Sequence, residues 1–173
     1  MKIATPASQL AELVAKYAPE IAQAFTLARR KMRAFVPRGY ELVYENYNAL
    51  GIGYGCGQKA SDVILSIVAY PRWITLFFLS GANLRDPNSL LDGAGSRVRS
   101  IRLQSTNDLD RPDVQQLISH ALAPHAEALA GCPRLTLVIR SIASKRRPRR
   151  LPQAKPTKVN ANRPRRGSVA NDE

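Results

Sequence analysis

The chain has 173 residues, 45% of them hydrophobic, and a formal net charge of +13. Compact domains cluster at about 100 to 150 residues, so this length predicts one domain whose core folds without disulfide or metal staples. No apolar stretch reaches the ~18 residues that span a bilayer, and no basic start precedes an apolar run, so the sequence reads as a cytoplasmic protein without a membrane partner.

Residues 8–18 place Leu10, Leu13, Val14 and Tyr17 at helical spacing, with Thr5 or Ser8 available as a cap. Pro19 ends that helix and suits the first turn of a second one, where Ile21, Ala24, Phe25, Ala28 and Met32 form an apolar stripe. Arg29, Arg30, Lys31 and Arg33 gather toward its C-terminal end, where cations complement the helix dipole; an anion-binding patch is the sharper alternative.

Beyond Pro37 and Gly39, short apolar runs between turn residues predict strands near 40–46, 50–56, 62–70, 73–80, 97–103 and 134–142. Strand 73–80 is apolar on both faces, which predicts a central place in the sheet. Between the last two strands, Val114, Leu117, Ile118, Ala121, Leu122 and Leu129 mark one helical face that covers the sheet, with Asp110 as its cap and Pro124 as its kink. The sum is an α+β domain over residues 1–143. It has two layers, an antiparallel sheet of five to six strands with helices packed on one face.

The segment LGIGYGCG puts Gly51, Gly53, Gly55 and Gly57 on one nearly bare strand face. A bare face lets another backbone, a helix or a ligand come close, and close internal packing is the plainer reading. The stretch from Gly81 to Arg99 is the most suggestive one. There Gly81, Arg85, Gly93, Gly95, Arg97 and Arg99 converge as a candidate anion-accepting surface, because a glycine turn exposes amides and an arginine fork suits phosphate oxygens. A solvated edge-strand face gives the same pattern.

His120 and His125 stand five apart, too far round a helix to share a face closely, and read as partly buried core histidines. Cys56 and Cys132 lack ligand spacing and read as reduced thiols, so no metal site is assigned. No nucleophile is partnered with a base, so no catalytic residue is assigned, and no cofactor is implied by spacing.

Residues 144–173 hold ten Lys or Arg against Asp172 and Glu173, which concentrates +8 in a proline-rich segment almost without large apolar residues. Such a segment is expected to be a disordered basic tail. Lys145, Arg146, Arg147, Arg149 and Arg150 form its first cluster, a candidate for non-specific nucleic-acid contact through phosphates, with a bland solubilising end as the alternative. No aromatic residue interleaves the cluster, which argues against base stacking there.

The order of the pieces YELVYENYNALGIGYG, VILSIVAYPRWITLFFLSGANL and DPNSLLDGAGSRVRSIRLQSTNDLDRPDVQQLISHAL resembles the YdhG-like family of bacterial domains, over about residues 8–123. RLTLVIRSIASKRRPRR is similar to the ending of one subgroup. The resemblance implies the same two-layer fold. Most of that family is uncharacterised, and one bacterial member is regarded as a frataxin-like iron chaperone, so the resemblance offers an iron-chaperone role as an alternative, which would call for an acidic iron-binding surface. Two features depart from that pattern: residues 1–143 are net positive, and YNALG stands where the family places a proline after Gly-Met.

Overall fold

The computed structural model describes residues 4–150. Thr5 caps α1 (Pro6–Val14), its hydroxyl accepting from the Ser8 amide at 3.2 Å, and Pro6 and Pro19 open α1 and α2 (Pro19–Phe35) at the position where a missing N–H goes unnoticed. Six strands follow: β1 (Tyr40–Glu45), β2 (Leu50–Gly55), β3 (Val63–Ala69), β4 (Ile74–Phe78), β5 (Arg99–Leu103) and, after α3 (Pro112–Leu122) and α4 (Ala126–Ala130), β6 (Thr136–Ser141).

The sheet order is β5-β4-β3-β2-β1-β6. Strands β1 to β5 form an antiparallel meander, as the hairpin pattern predicts, and β6 adds to β1 in parallel, making the sheet mixed. The parallel pairing follows from the long excursion through α3 and α4, which carries the chain back to the end where β1 starts. β4 is flanked by β3 and β5, one strand in from the edge, and its Ile74, Leu76 and Phe78 are buried.

One face of the sheet carries the core. Val43, Leu50, Ile52, Tyr54, Leu65, Ile67, Leu76 and Phe78 meet Leu10, Leu13, Phe25, Met32, Leu117 and Ile118 from the helices. The helix predicted as one kinked element is broken at Pro124 into α3, a tight turn over Ala123–His125, and α4. On the opposite face the pairing register places Tyr44, Gly51, Val68 and Thr75 side by side.

The glycine strand resolves toward close packing. A Cβ at Gly55 would overlap the carbonyl oxygen of Asp62, and one at Gly53 would press on Val63 at 2.8 Å. The glycines therefore let the turn before β3 lie directly on β2.

Candidate functional site

The β2–β3 turn, the Gly81–Asn83 turn and the α3–α4 corner enclose a cleft of about 590 Å³. Cys56, Ser61, Asp62, Ser80, Asn83, Arg97, His120 and His125 bring its polar groups, and Ile64, Leu84 and Ala121 part of its apolar wall. Pro124 explains how both histidines reach it. In a continuous helix they would point about 140° apart, and the tight turn at Ala123–His125 changes that angle.

Asp62 is the one carboxylate in the lining, and it is already engaged: it accepts from the Lys59 amide at 3.0 Å and caps its own short turn. Arg97 has no side-chain hydrogen bond or ion pair among the described residues. The cleft therefore presents an uncommitted guanidinium, two imidazoles, the Ser80 hydroxyl and the Asn83 amide.

No hydrogen bond joins Ser61 or Cys56 to either histidine among the described residues; the Ser61 hydroxyl turns to Asp62 at 3.4 Å. Burial pushes the Cys56 thiol above its ordinary value, with the neighbouring Cys132 and Asp62 adding to the rise. A thiol held neutral is a poor nucleophile. Cys132 donates to the Cys56 carbonyl at 3.2 Å, and both cysteines are free.

Of the six residues predicted to accept an anion, the structure brings Arg97 alone into this cleft. Arg99 begins β5, two residues later than Arg97, so the two do not share a strand face as expected from a strand starting at 97. The Arg99 guanidinium turns back onto its own loop, donating to Val98 O at 2.8 Å and to Gly95 O, while its stem covers the buried Gly81. Arg85 is exposed, Gly93 takes a left-handed φ of 128°, and nothing lies within 4 Å of a Cβ placed on Gly95.

Residues 144–150 lie against the domain, where a free tail from residue 144 was expected: Arg146 pairs with the buried Glu45 at 2.6 Å, Arg149 is buried, and Arg150 donates to the carbonyls of Tyr17 and Ala15 at 3.0 Å. Lys145 and Arg147 remain exposed, so two of the five residues predicted to meet nucleic acid have no side-chain partner among the described residues. The rest of the tail, residues 151–173, lies outside the described residues.

The helix cluster of cations also has an internal partner. Glu41, fully buried, accepts from Arg29 at 3.0 and 2.8 Å, with Arg33 3.6 Å away, and Lys31 pairs with Asp110. Burial holds the adjacent Tyr54 hydroxyl well above its ordinary value, and the Glu41 charge adds to that.

Among the described residues the aspartates are already committed. Asp108 caps the turn before α3 through the Gln104 amide, Asp110 holds Lys31 and Asp113 holds Arg111, and no three His, Cys, Asp or Glu gather among the described residues. No protein-family model, no curated protein and no solved structure matches the chain.

Proposed function

We propose that the protein is a binding domain, without catalysis of its own, whose cleft takes a small anionic ligand. The observation that carries this reading is Arg97: a guanidinium without a partner among the described residues, facing a cleft whose single carboxylate is spent on its own turn. His120, His125, Ser80 and Asn83 supply further donors, and the apolar wall around Ile64 and Leu84 suits a ligand with a carbon skeleton behind its charged group. A phosphorylated or carboxylated metabolite has that chemistry. The two-layer fold also supports reading the chain as a YdhG-like domain, whereas the committed aspartates favour anion over iron binding.

Thermal shift with inorganic phosphate, pyrophosphate and a panel of sugar phosphates tests it. The expected result is stabilisation of the native chain that Arg97→Ala abolishes. Equal stabilisation of both proteins, or of neither, would overturn the assignment of the cleft.

A further inference from the structure

The second face of the sheet has a chemistry of its own, separate from the cleft. By the pairing register Tyr44, Val68, Thr75 and Arg102 form one row across it from β1 to β5, with Phe77 in the next row. Tyr44, Val68 and Phe77 are partly buried and Thr75 is buried among them, while the buried residues of the helices gather in the core on the other face. Gly51 and Gly53 leave a groove of about 250 Å³ between Tyr44 and Val68, floored by bare backbone.

Arg102 supplies the positive charge within the strands of this face, and the exposed Asp92, bridged to Ser100 beside Phe77, adds one carboxylate at its β5 edge. The strands contain two carboxylates, Glu41 and Glu45, and both lie on the helix side, where arginines hold them. Arg102 is exposed, sits 4.3 Å over the Trp73 ring, and has no carboxylate partner among the described residues. Trp73 stacks in turn on Tyr70 at 5.2 Å. The guanidinium thus stands over the indole ring beside the sheet, a posture suited to stacking on a base or pairing with a phosphate.

We propose that this face binds single-stranded nucleic acid, with bases laid on Tyr44, Phe77 and the Arg102–Trp73 stack. Partly exposed aromatics on a sheet face away from the helices and an adjacent arginine without a carboxylate partner among the described residues are the elements that let a strand lie across a sheet, because every base has a π-face and every linkage a negative charge. Strand spacing puts Tyr44 three intervals from β4, about 14 Å, a span for two to three nucleotides. A second copy of the chain is the competing occupant of an apolar sheet face. The unpaired Arg102 guanidinium and the overall +13 favour a polyanion over a like-charged copy.

Trp73 is the single tryptophan of the chain, so its fluorescence reports on this face alone. The full-length protein is titrated with a fluorescein-labelled single strand of mixed sequence, about 12 nucleotides long, within the footprint of one stacking domain. RNA and DNA versions show whether the 2′-hydroxyl is read. Saturable binding that quenches Trp73 and weakens roughly tenfold in Phe77→Ala and in Tyr44→Ala is expected, since neither substitution changes charge. Arg102→Gln, at an exposed site, is expected to weaken binding with an unchanged melting temperature, and this keeps the test valid if an aromatic variant folds poorly. Three results would overturn the proposal: no binding at low salt, binding that leaves Trp73 fluorescence and the variants' affinities untouched, or a stable dimer that shields Trp73 and excludes the strand. The cleft assignment survives each of them, because phosphate stabilisation is read through Arg97.

Discussion

The Arg149 guanidinium lies over the ring of Tyr17, 5.5 Å from Cζ to the ring centroid, and from there donates to the carbonyls of Asn46 at 2.6 Å and Tyr47 at 3.0 Å. One side chain thus ties the end of the described chain to the first helix region and to the β1–β2 turn. Glu45, 3.7 Å away and buried, is shared by Arg149 and Arg146. Arg149→Ala would leave the turn carbonyls and a buried carboxylate short of donors, which should cost about 2 to 4 kcal/mol. Urea unfolding checks this, and Arg149→Lys should recover little, because an ammonium cannot stack and span both carbonyls at once.

The second buried carboxylate gives a sharper contrast. Arg29 grips Glu41 with two hydrogen bonds, and Glu41 has no exposed surface. Removing the arginine alone strands a buried charge, so Arg29→Ala should lose about 3 to 5 kcal/mol. Arg29→Met with Glu41→Gln should lose distinctly less, because the charge goes with its partner. A double-mutant cycle on the unfolding free energies measures the coupling.

These two pairs show where sequence reading reached its limit. The stripe of Ile21, Phe25, Ala28 and Met32, the strand alternation and the breaking prolines are local signals, and they locate α2, the meander and the α3–α4 corner. The partner of a buried charge is not local: Arg149 meets a turn a hundred residues earlier, and low apolar content made residues 144–150 read as a tail. The cleft was half legible. Arg97 stood out because it follows two glycines, while His120 and His125 read as helix residues whose faces diverge, and it took the turn at Pro124 to bring them to one wall.

Glycine packing yields a graded prediction. At Gly55 an added methyl meets the Asp62 backbone, which cannot rotate away, whereas at Gly51 its nearest neighbour is Val68 Cγ2 at 3.5 Å, an ordinary contact. Gly55→Ala should therefore destabilise by about 2 kcal/mol or more through backbone displacement. Gly51→Ala should stay within about 0.5 kcal/mol of the native chain. Thermal melts of the two variants side by side decide it, and the same displacement at Gly55 should disturb Cys56 and Asp62 in the cleft.

Alkaline pH should weaken the fold. Burial raises the Tyr17 hydroxyl to about 12, against 10.0 for an ordinary tyrosine. Because the folded value is the higher one, the neutral hydroxyl contributes its full stability below pH 10.0, and that contribution is lost as the pH rises through about 12. Tyr17 donates to the Ala69 carbonyl at 3.0 Å, so Tyr17→Phe should cost about 1 kcal/mol at neutral pH. Its stability should then fall less steeply above pH 10.0, a difference read from urea midpoints collected across that range. An identical slope in both proteins would place the alkaline sensitivity elsewhere, with the buried Tyr54 as the next group to test.

Arg97 and Arg99 separate binding from loop architecture. They are two residues apart, yet Arg97 faces the cleft while Arg99 spends its guanidinium on the carbonyls of Val98 and Gly95 and its stem on Gly81. Arg97→Ala should remove phosphate stabilisation and leave the melting temperature of the free protein unchanged, because an exposed arginine without partners contributes little to folding. Arg99→Ala should do the reverse: it uncovers Gly81 and frees two carbonyls, lowering stability by about 1 kcal/mol, while the ligand still binds. Isothermal titration with pyrophosphate, run on both variants beside their thermal melts, reads the two effects independently. If Arg99→Ala abolished binding as fully as Arg97→Ala, the anion would sit on the glycine loop instead, between Gly93 and Gly95, and the cleft would lose its claim.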